Sequence, residues 1–385
     1  MKVKKASQVF VVGFGLLVLV PGAKAESKTS WQGKMQSLGE AIGELLPEIV
    51  SKKGNVEVIE KNAKALSELS HTLKPGLATG KMAPPEDADP SLAIIAGKFS
   101  DQTKYAYRAV KAGNVDYGKN ILRGVTSYCI ACHTRHDKGP EFPTFPLSPK
   151  ADQLAPEEKA ELFIATRQFD KGIDAFEGLI KDPAYAKSHP FEWERAVRSA
   201  LAIAIRVKND PARAQQVIDL ALKTDNVPAY TKSYLTKWKA AIADWKSQGK
   251  KAGGGEKELA ADMRKLMAEA KAGQLFPADH SSEIQYLRAS GVAHDLLRQA
   301  KTPKVKAEGL LMVGTAYEVL GNPVLWPMHE LYFEACVRQV PHSKLAQQCY
   351  DRYEESVYMG YTGSAGTNIP DDIRVQLAEL KQLAQ

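Results

Sequence analysis

The chain has 385 residues, with 52 Lys and Arg against 45 Asp and Glu, 8 His and 4 Cys, and a formal net charge of +7. Removing Lys2, Lys4, Lys5 and Lys24 with the first 25 residues leaves 48 basic against 45 acidic residues, a net +3. That balance argues against nucleic acid as a partner. The length exceeds one ordinary hydrophobic core and predicts two or more domains.

The N-terminus reads as a cleavable export signal over residues 1–25. A basic start, Met1-Lys-Val-Lys-Lys5, is followed by an apolar run from Val9 to Val20 and an Ala-x-Ala end at Ala25. The run is short for a membrane span. No later stretch is long and apolar enough to provide one, so the mature chain is expected to have no transmembrane segment. The expected compartment is the periplasm, with the product soluble or peripherally membrane-associated.

Nearly every periodic segment after the signal reads as helix, which makes the fold class all-α. Residues 31–50 place Met35, Leu38, Ile42, Leu45 and Leu46 on one face, and residues 57–73 repeat the pattern. Residues 80–90 read as a loop, and a third helix is expected over 91–112. A fourth is expected from about residue 115 through Cys129-Ile-Ala-Cys132-His133. Four helices in this space predict a four-helix bundle over residues 26–142. The Pro-rich stretch at 143–156 reads as a linker. Helical segments return at 157–180, 198–223, 231–247, 256–272 and 281–300, with a Gly-rich loop around Gly253-Gly-Gly255. The last block covers 305–321, 326–340, 343–360 and 369–384. Asn368, Pro370, Asp371 and Asp372 mark the start of the final helix. Residues 157–385 are therefore expected to form a domain of helical hairpins.

The decisive motif is Cys129-Ile-Ala-Cys132-His133. Two thiols spaced this way can add to the two vinyl groups of one haem, and the following imidazole can bind its iron. A thioredoxin-like redox pair requires a βαβ context that is missing here. A zinc site requires further ligands nearby. The expectation is one covalently attached haem c, with Cys129 and Cys132 as attachment points and His133 as proximal ligand. For the opposite face, Met35 is the favoured ligand, because the start of the first helix and the end of the fourth meet at one end of an antiparallel bundle. His71 is a second candidate, His136 follows the motif too closely, and Met82 lies in a loop. Trp31, Tyr105, Tyr107, Tyr117 and Tyr128 supply aromatic bulk to this region.

The segment from Trp31 to Pro140 resembles the cytochrome c-prime and cytochrome c556 family, with cytochrome b562 as a relative. The resemblance is carried by Met35-Gln-Ser-Leu-Gly39 with Ile42, Leu45 and Leu46, by Ala63-Lys-Ala-Leu-Ser-Glu-Leu69, and by the late Cys129-Ile-Ala-Cys132-His133-Thr-Arg135. It implies a four-helix bundle with Met35 as sixth ligand, as in the electron-transferring branch. It covers under a third of the chain; the family ends soon after its motif, and its members lack the loop-like stretch seen here over 76–97.

The later region resembles tetratricopeptide-type repeats in Ala165, Phe169, Ala175, Phe176 and Pro183, and again in Gly314, Tyr317, Leu320 and Gly321. Stacked hairpins leave an extended face for a protein partner. Cys336 and Cys349 flank Pro341-His342, and a turn there predicts a disulfide between them. His329-Glu330 beside Trp326 reads as packing and capping, and Gly363-Ser-Ala-Gly366 as a short turn. The expected function is one-electron transfer, with the helical region docking to a redox partner or a membrane-associated complex. An enzyme is less expected than a carrier or a complex subunit. The alternatives are a haem sensor for nitric oxide or carbon monoxide, and a haem-containing structural subunit.

Overall fold

The computed structural model describes residues 31–73, 89–137, 149–249, 254–277, 279–321 and 328–385. The export signal, Met82, residues 143–148 of the Pro-rich stretch, Gly253 and Trp326 lie outside the described residues. The described chain is all-α apart from one two-residue ladder, in which Thr362 pairs with Thr367 and Gly363 with Gly366. No helix among the described residues is long and apolar enough to cross a membrane.

Helix α1 (Trp31–Val50) buries Leu38, Ile42, Leu45, Leu46 and Ile49, the stripe its periodicity predicts. Asn55 starts α2 (Val56–His71): its side-chain oxygen accepts from the backbone of Glu57 at 2.9 Å and Val58 at 3.2 Å. Helix α3 (Ser91–Lys111) packs along α2 and against α4 (Val115–Arg123). The expected fourth helix is broken in two. At Gly124 and Val125 the backbone tightens into bonds between residues three apart, Val125 to Leu122 and Tyr128 to Val125. A new helix, α5 (Thr126–His133), then starts. Glycine weakens a helix interior, which makes this the natural place for the break.

Residues 149–153 form a 3-10 turn against α1, and α6 (Pro156–Ala165) follows. Arg167 stands at φ 59°, and the chain reverses there into α7 (Phe169–Ile180). Residues 157–180 thus form a helical hairpin. Gly172 permits the close approach of its two arms, since a Cβ there would sit 2.7 Å from the Ile164 side chain. Helices α8 (Pro183–Ser188), α9 (Pro190–Ala202) and α10 (Pro211–Lys223) come next. Between α9 and α10, residues Ile203–Val207 form a turn of π-helix. Asp182 and Asp210 each cap a helix whose first residue is proline. The remaining helices are α11 (Ala229–Ser247), α12 (Glu256–Gly273), α13 (Glu283–Gln299), α14 (Pro303–Leu320), α15 (Met328–Gln339), α16 (Lys344–Gly360) and α17 (Asp371–Ala384). Pro370, not Asn368, precedes the last of them, and the Asn368 backbone N–H instead donates to the Tyr361 carbonyl.

Three apolar cores result. The first holds Leu38, Ile42, Leu45, Ile59, Leu66, Phe99 and Leu122, and it also takes in Ala151, Leu154 and Leu162. The second is built around Trp193 and Trp238, whose ring N–H groups donate to the carbonyls of Ile180 and His280. The third contains Met263, Leu310, Tyr332, Phe333, Cys336, Cys349 and Tyr353. Cys336 and Cys349 form a disulfide with their Cα atoms 6.1 Å apart, joining α15 to α16.

Candidate functional site

Helix α5 stands where the three cores meet. Tyr128 borders the first, Ile130 packs on the second, and Ala131 belongs to the third. An α-helix turns about 100° per residue. Cys132, Cys129 and His133 therefore share one arc, and Ile130, Thr134 and Ala131 occupy the opposite arc. Ala131 and Thr134 are buried, while Ile130, Cys129, Cys132 and His133 are partly buried. The three motif side chains are thus presented together on one arc of the helix.

His133 is held from outside its own helix. Its Nδ1 lies 2.8 Å from the carbonyl oxygen of Ala165, the last residue of α6. A carbonyl only accepts, so Nδ1 carries the proton and Nε2 keeps its lone pair. Burial, followed by the nearby Arg167 guanidinium, pushes the imidazole pKa down to about 4, so the ring is neutral near pH 7. A neutral ring, oriented through Nδ1 with Nε2 available, is the state that a ligating histidine needs. Arg167 also reaches the His133 carbonyl at 3.4 Å and covers the Phe169 ring at 5.1 Å.

Burial raises the Cys129 thiol to about 12, with Cys132 adding to the effect. That environment disfavours a thiolate and gives no support to a reactive redox pair. No group of three or more His, Cys, Asp or Glu able to hold a metal ion exists among the described residues. The donor set at α5 is therefore two thiols and one oriented imidazole on a single arc, which fits covalent haem attachment better than a zinc centre.

Met35 lies on α1, partly buried, and borders the same core as Tyr128, the residue before Cys129. His71 is the exposed last residue of α2, and His136 sits 3.5 Å from Arg135. Of the aromatic residues, Trp31, Tyr107 and Tyr128 border the core, with Tyr128 packed 5.9 Å from Phe99. Tyr105 and Tyr117 are instead exposed and contribute nothing to a buried lining.

Beneath the motif lies a polar network that the sequence did not signal. Arg135, two residues past His133, pairs with Asp89 at 3.2 Å, with 2% and 1% of the side chains exposed. Asp89 also accepts from the backbone and hydroxyl of Ser91 at the start of α3. His294 of α13 approaches Asp89 at 3.8 Å and Tyr317 at 3.2 Å, and Tyr317 stacks on Tyr332. Burial drives the His294 pKa down to about 4. Arg135 and His294 stand 46 and 205 positions from Asp89 in sequence, so no local pattern links them. A second cluster joins His329, Ser356 and Glu330: the Ser356 hydroxyl is 2.6 Å from His329 Nε2 and donates to Glu330 at 2.7 Å. It ties α15 to α16, in keeping with a packing role.

Comparison of the chain with protein-family models, curated proteins and solved structures returns no match.

Proposed function

We propose that this chain is a periplasmic monohaem c-type cytochrome that passes one electron at a time. In this reading Cys129 and Cys132 attach haem c, His133 is the proximal ligand and Met35 the ligand opposite. Helices α1–α5 act as the cytochrome's four-helix bundle, with α4 and α5 sharing the fourth position. The stacked hairpins from α6 onward dock to a protein redox partner or a membrane-associated complex. The observation that carries the reading is the 2.8 Å contact from His133 Nδ1 to the Ala165 carbonyl, which leaves Nε2 available.

A bound haem would supply an iron that cycles between ferrous and ferric states. The chain's own residues do the rest. Ala165 fixes the imidazole's tautomer and orientation. The positive charge of Arg167 near His133 would disfavour the more positive oxidised state of a bound haem iron, whereas that of Arg135 is offset by Asp89. Because Ala165 belongs to the hairpin region, any strain there is felt directly at the proximal ligand.

The test is expression of the full chain in a host that matures c-type cytochromes. Haem should stay with the denatured chain, and Cys129→Ser with Cys132→Ser should release it. The ferric protein should show a far-red sulfur-to-iron band that Met35→Ala removes. Failure to retain haem overturns the cytochrome reading. A high-spin ferrous spectrum that shifts at once under carbon monoxide overturns closed ligation by Met35.

A further inference from the structure

A cavity of about 80 Å³ lies on the side of α5 away from the motif arc, between α5, α6, α9, α13 and α14. We propose that it binds a small monocarboxylate of two or three carbons, with the carboxylate on Arg206 and the alkyl end among Ile130, Ile164 and Leu287. This site does not rest on the haem reading, because Ile130 and Thr134 reach it from the opposite arc of the helix.

Arg206 carries the argument. It is only 9% exposed. Its Nε donates to the Ser290 hydroxyl at 2.9 Å, and its guanidinium lies 4.5 Å over the Tyr317 ring. Among the described residues it has no carboxylate partner, and its two terminal amino groups make no hydrogen bond. A buried cation without a counter-ion is costly, and an anion in the adjoining cavity removes that cost. The other charges on the wall do not meet this need. Arg198 and Glu283 neutralise each other at 2.9 Å. Glu161 forms no ion pair with Arg206, and burial raises its carboxyl pKa.

Arg206 sits on the π-helical turn Ile203–Val207 that ends α9, where Lys208 bonds back five residues to Ile203 at 2.9 Å. Size and lining then select the ligand. Water occupies about 30 Å³ in the liquid, and a cavity of about 150 Å³ accommodates benzene. By those measures about 80 Å³ encloses about three heavy atoms, so a short carboxylate fills it with its outer end where the pocket opens. Aliphatic and aromatic side chains make up most of the remaining wall, so a short alkyl carboxylate fits better than a strongly hydrated inorganic anion.

The test is calorimetric titration of the full-length protein with sodium propionate, beside its neutral isostere propionamide and sodium sulfate. Propionate should bind saturably in the millimolar range, and propionamide and sulfate at least tenfold more weakly. Arg206→Gln should weaken propionate at least tenfold, and Ala202→Phe, which fills the cavity with Arg206 intact, should do the same. No saturable propionate binding by the parent overturns the proposal. So does equal binding of sulfate or propionamide, or unchanged binding by Ala202→Phe. If Arg206→Gln fails to fold, the parent's ligand comparison and Ala202→Phe decide the matter.

Discussion

Two buried acidic residues behave in opposite ways because their partners differ. Asp89 lies against Arg135 at 3.2 Å and also accepts two hydrogen bonds from Ser91. Removing it leaves the Arg135 guanidinium 2% exposed beside an empty space. Asp89→Ala should therefore cost about 3–5 kcal/mol, read as a lower urea midpoint. A loss under about 1 kcal/mol contradicts that role. Glu330 has a hydroxyl and no cation bound to it, and burial raises its carboxyl to about 7. In an unfolded chain such a group ionises near pH ~4.3. Between those values the folded chain holds the extra proton, so this residue's contribution falls as pH rises from about 4.3 to about 7. Glu330→Gln should gain on the parent by up to about 3 kcal/mol between pH 4 and pH 8. Urea unfolding at both pH values measures this, and an identical difference at the two refutes it. His294 and His329, both lowered to about 4, act in the reverse sense: their contribution is lost as pH falls from about 6.5 toward 4. Comparing variant with parent cancels the His294 background, which shares no partner with Glu330.

At the scale of elements, the disulfide and the broken helix show which local signals sufficed. Cys336 and Cys349 are 13 positions apart, on helices joined by a turn in which His342 stands at φ 57°. A closed loop of that length restricts the unfolded chain by about 3 kcal/mol. The double variant Cys336→Ala with Cys349→Ala should lower stability by about that amount, and reductant should lower the parent to match. A parent insensitive to reductant under denaturing conditions rules out the bond. The pairing was legible because Pro341 and the two flanking periodic segments already specify a hairpin. The capping signals were less legible: Asn368 marks the expected start of the last helix but Pro370 precedes it, and the caps at Asn55, Asp182 and Asp210 were not among those expected, although each involves only residues two or three apart. The break at Gly124–Val125 was not legible, because the apolar spacing continues across it. Helical hairpins were expected over this region of the chain, but the turn could not be placed at Arg167, because a non-glycine residue at φ 59° leaves no compositional mark.

At the scale of the molecule, the haem-motif helix is shared property. Tyr128, Ile130 and Ala131 each face a different core, and His133 is oriented by a carbonyl from beyond the Pro-rich stretch. The first core also includes Ala151, Leu154 and Leu162. A chain cut after residue 142 loses those three side chains and α6, which packs on α5. It should melt at a lower temperature than the full chain, with a broadened transition by circular dichroism. A fragment that melts as sharply and as high as the parent shows instead that residues up to 142 are self-sufficient.

The sequence by itself determined the all-α class, most helix positions, the disulfide pairing, and the placing of two thiols and an imidazole within five residues. Each depends on periodicity or spacing over short range, which side-chain chemistry imposes wherever the segment sits. Only the tertiary structure decided that Ala165 orients His133, that Asp89, Arg135 and His294 form one buried network, and that Arg206 faces a cavity without a counter-ion. Those relations join residues 30 to 205 positions apart, and their energies depend on burial, which exists only after the helices pack.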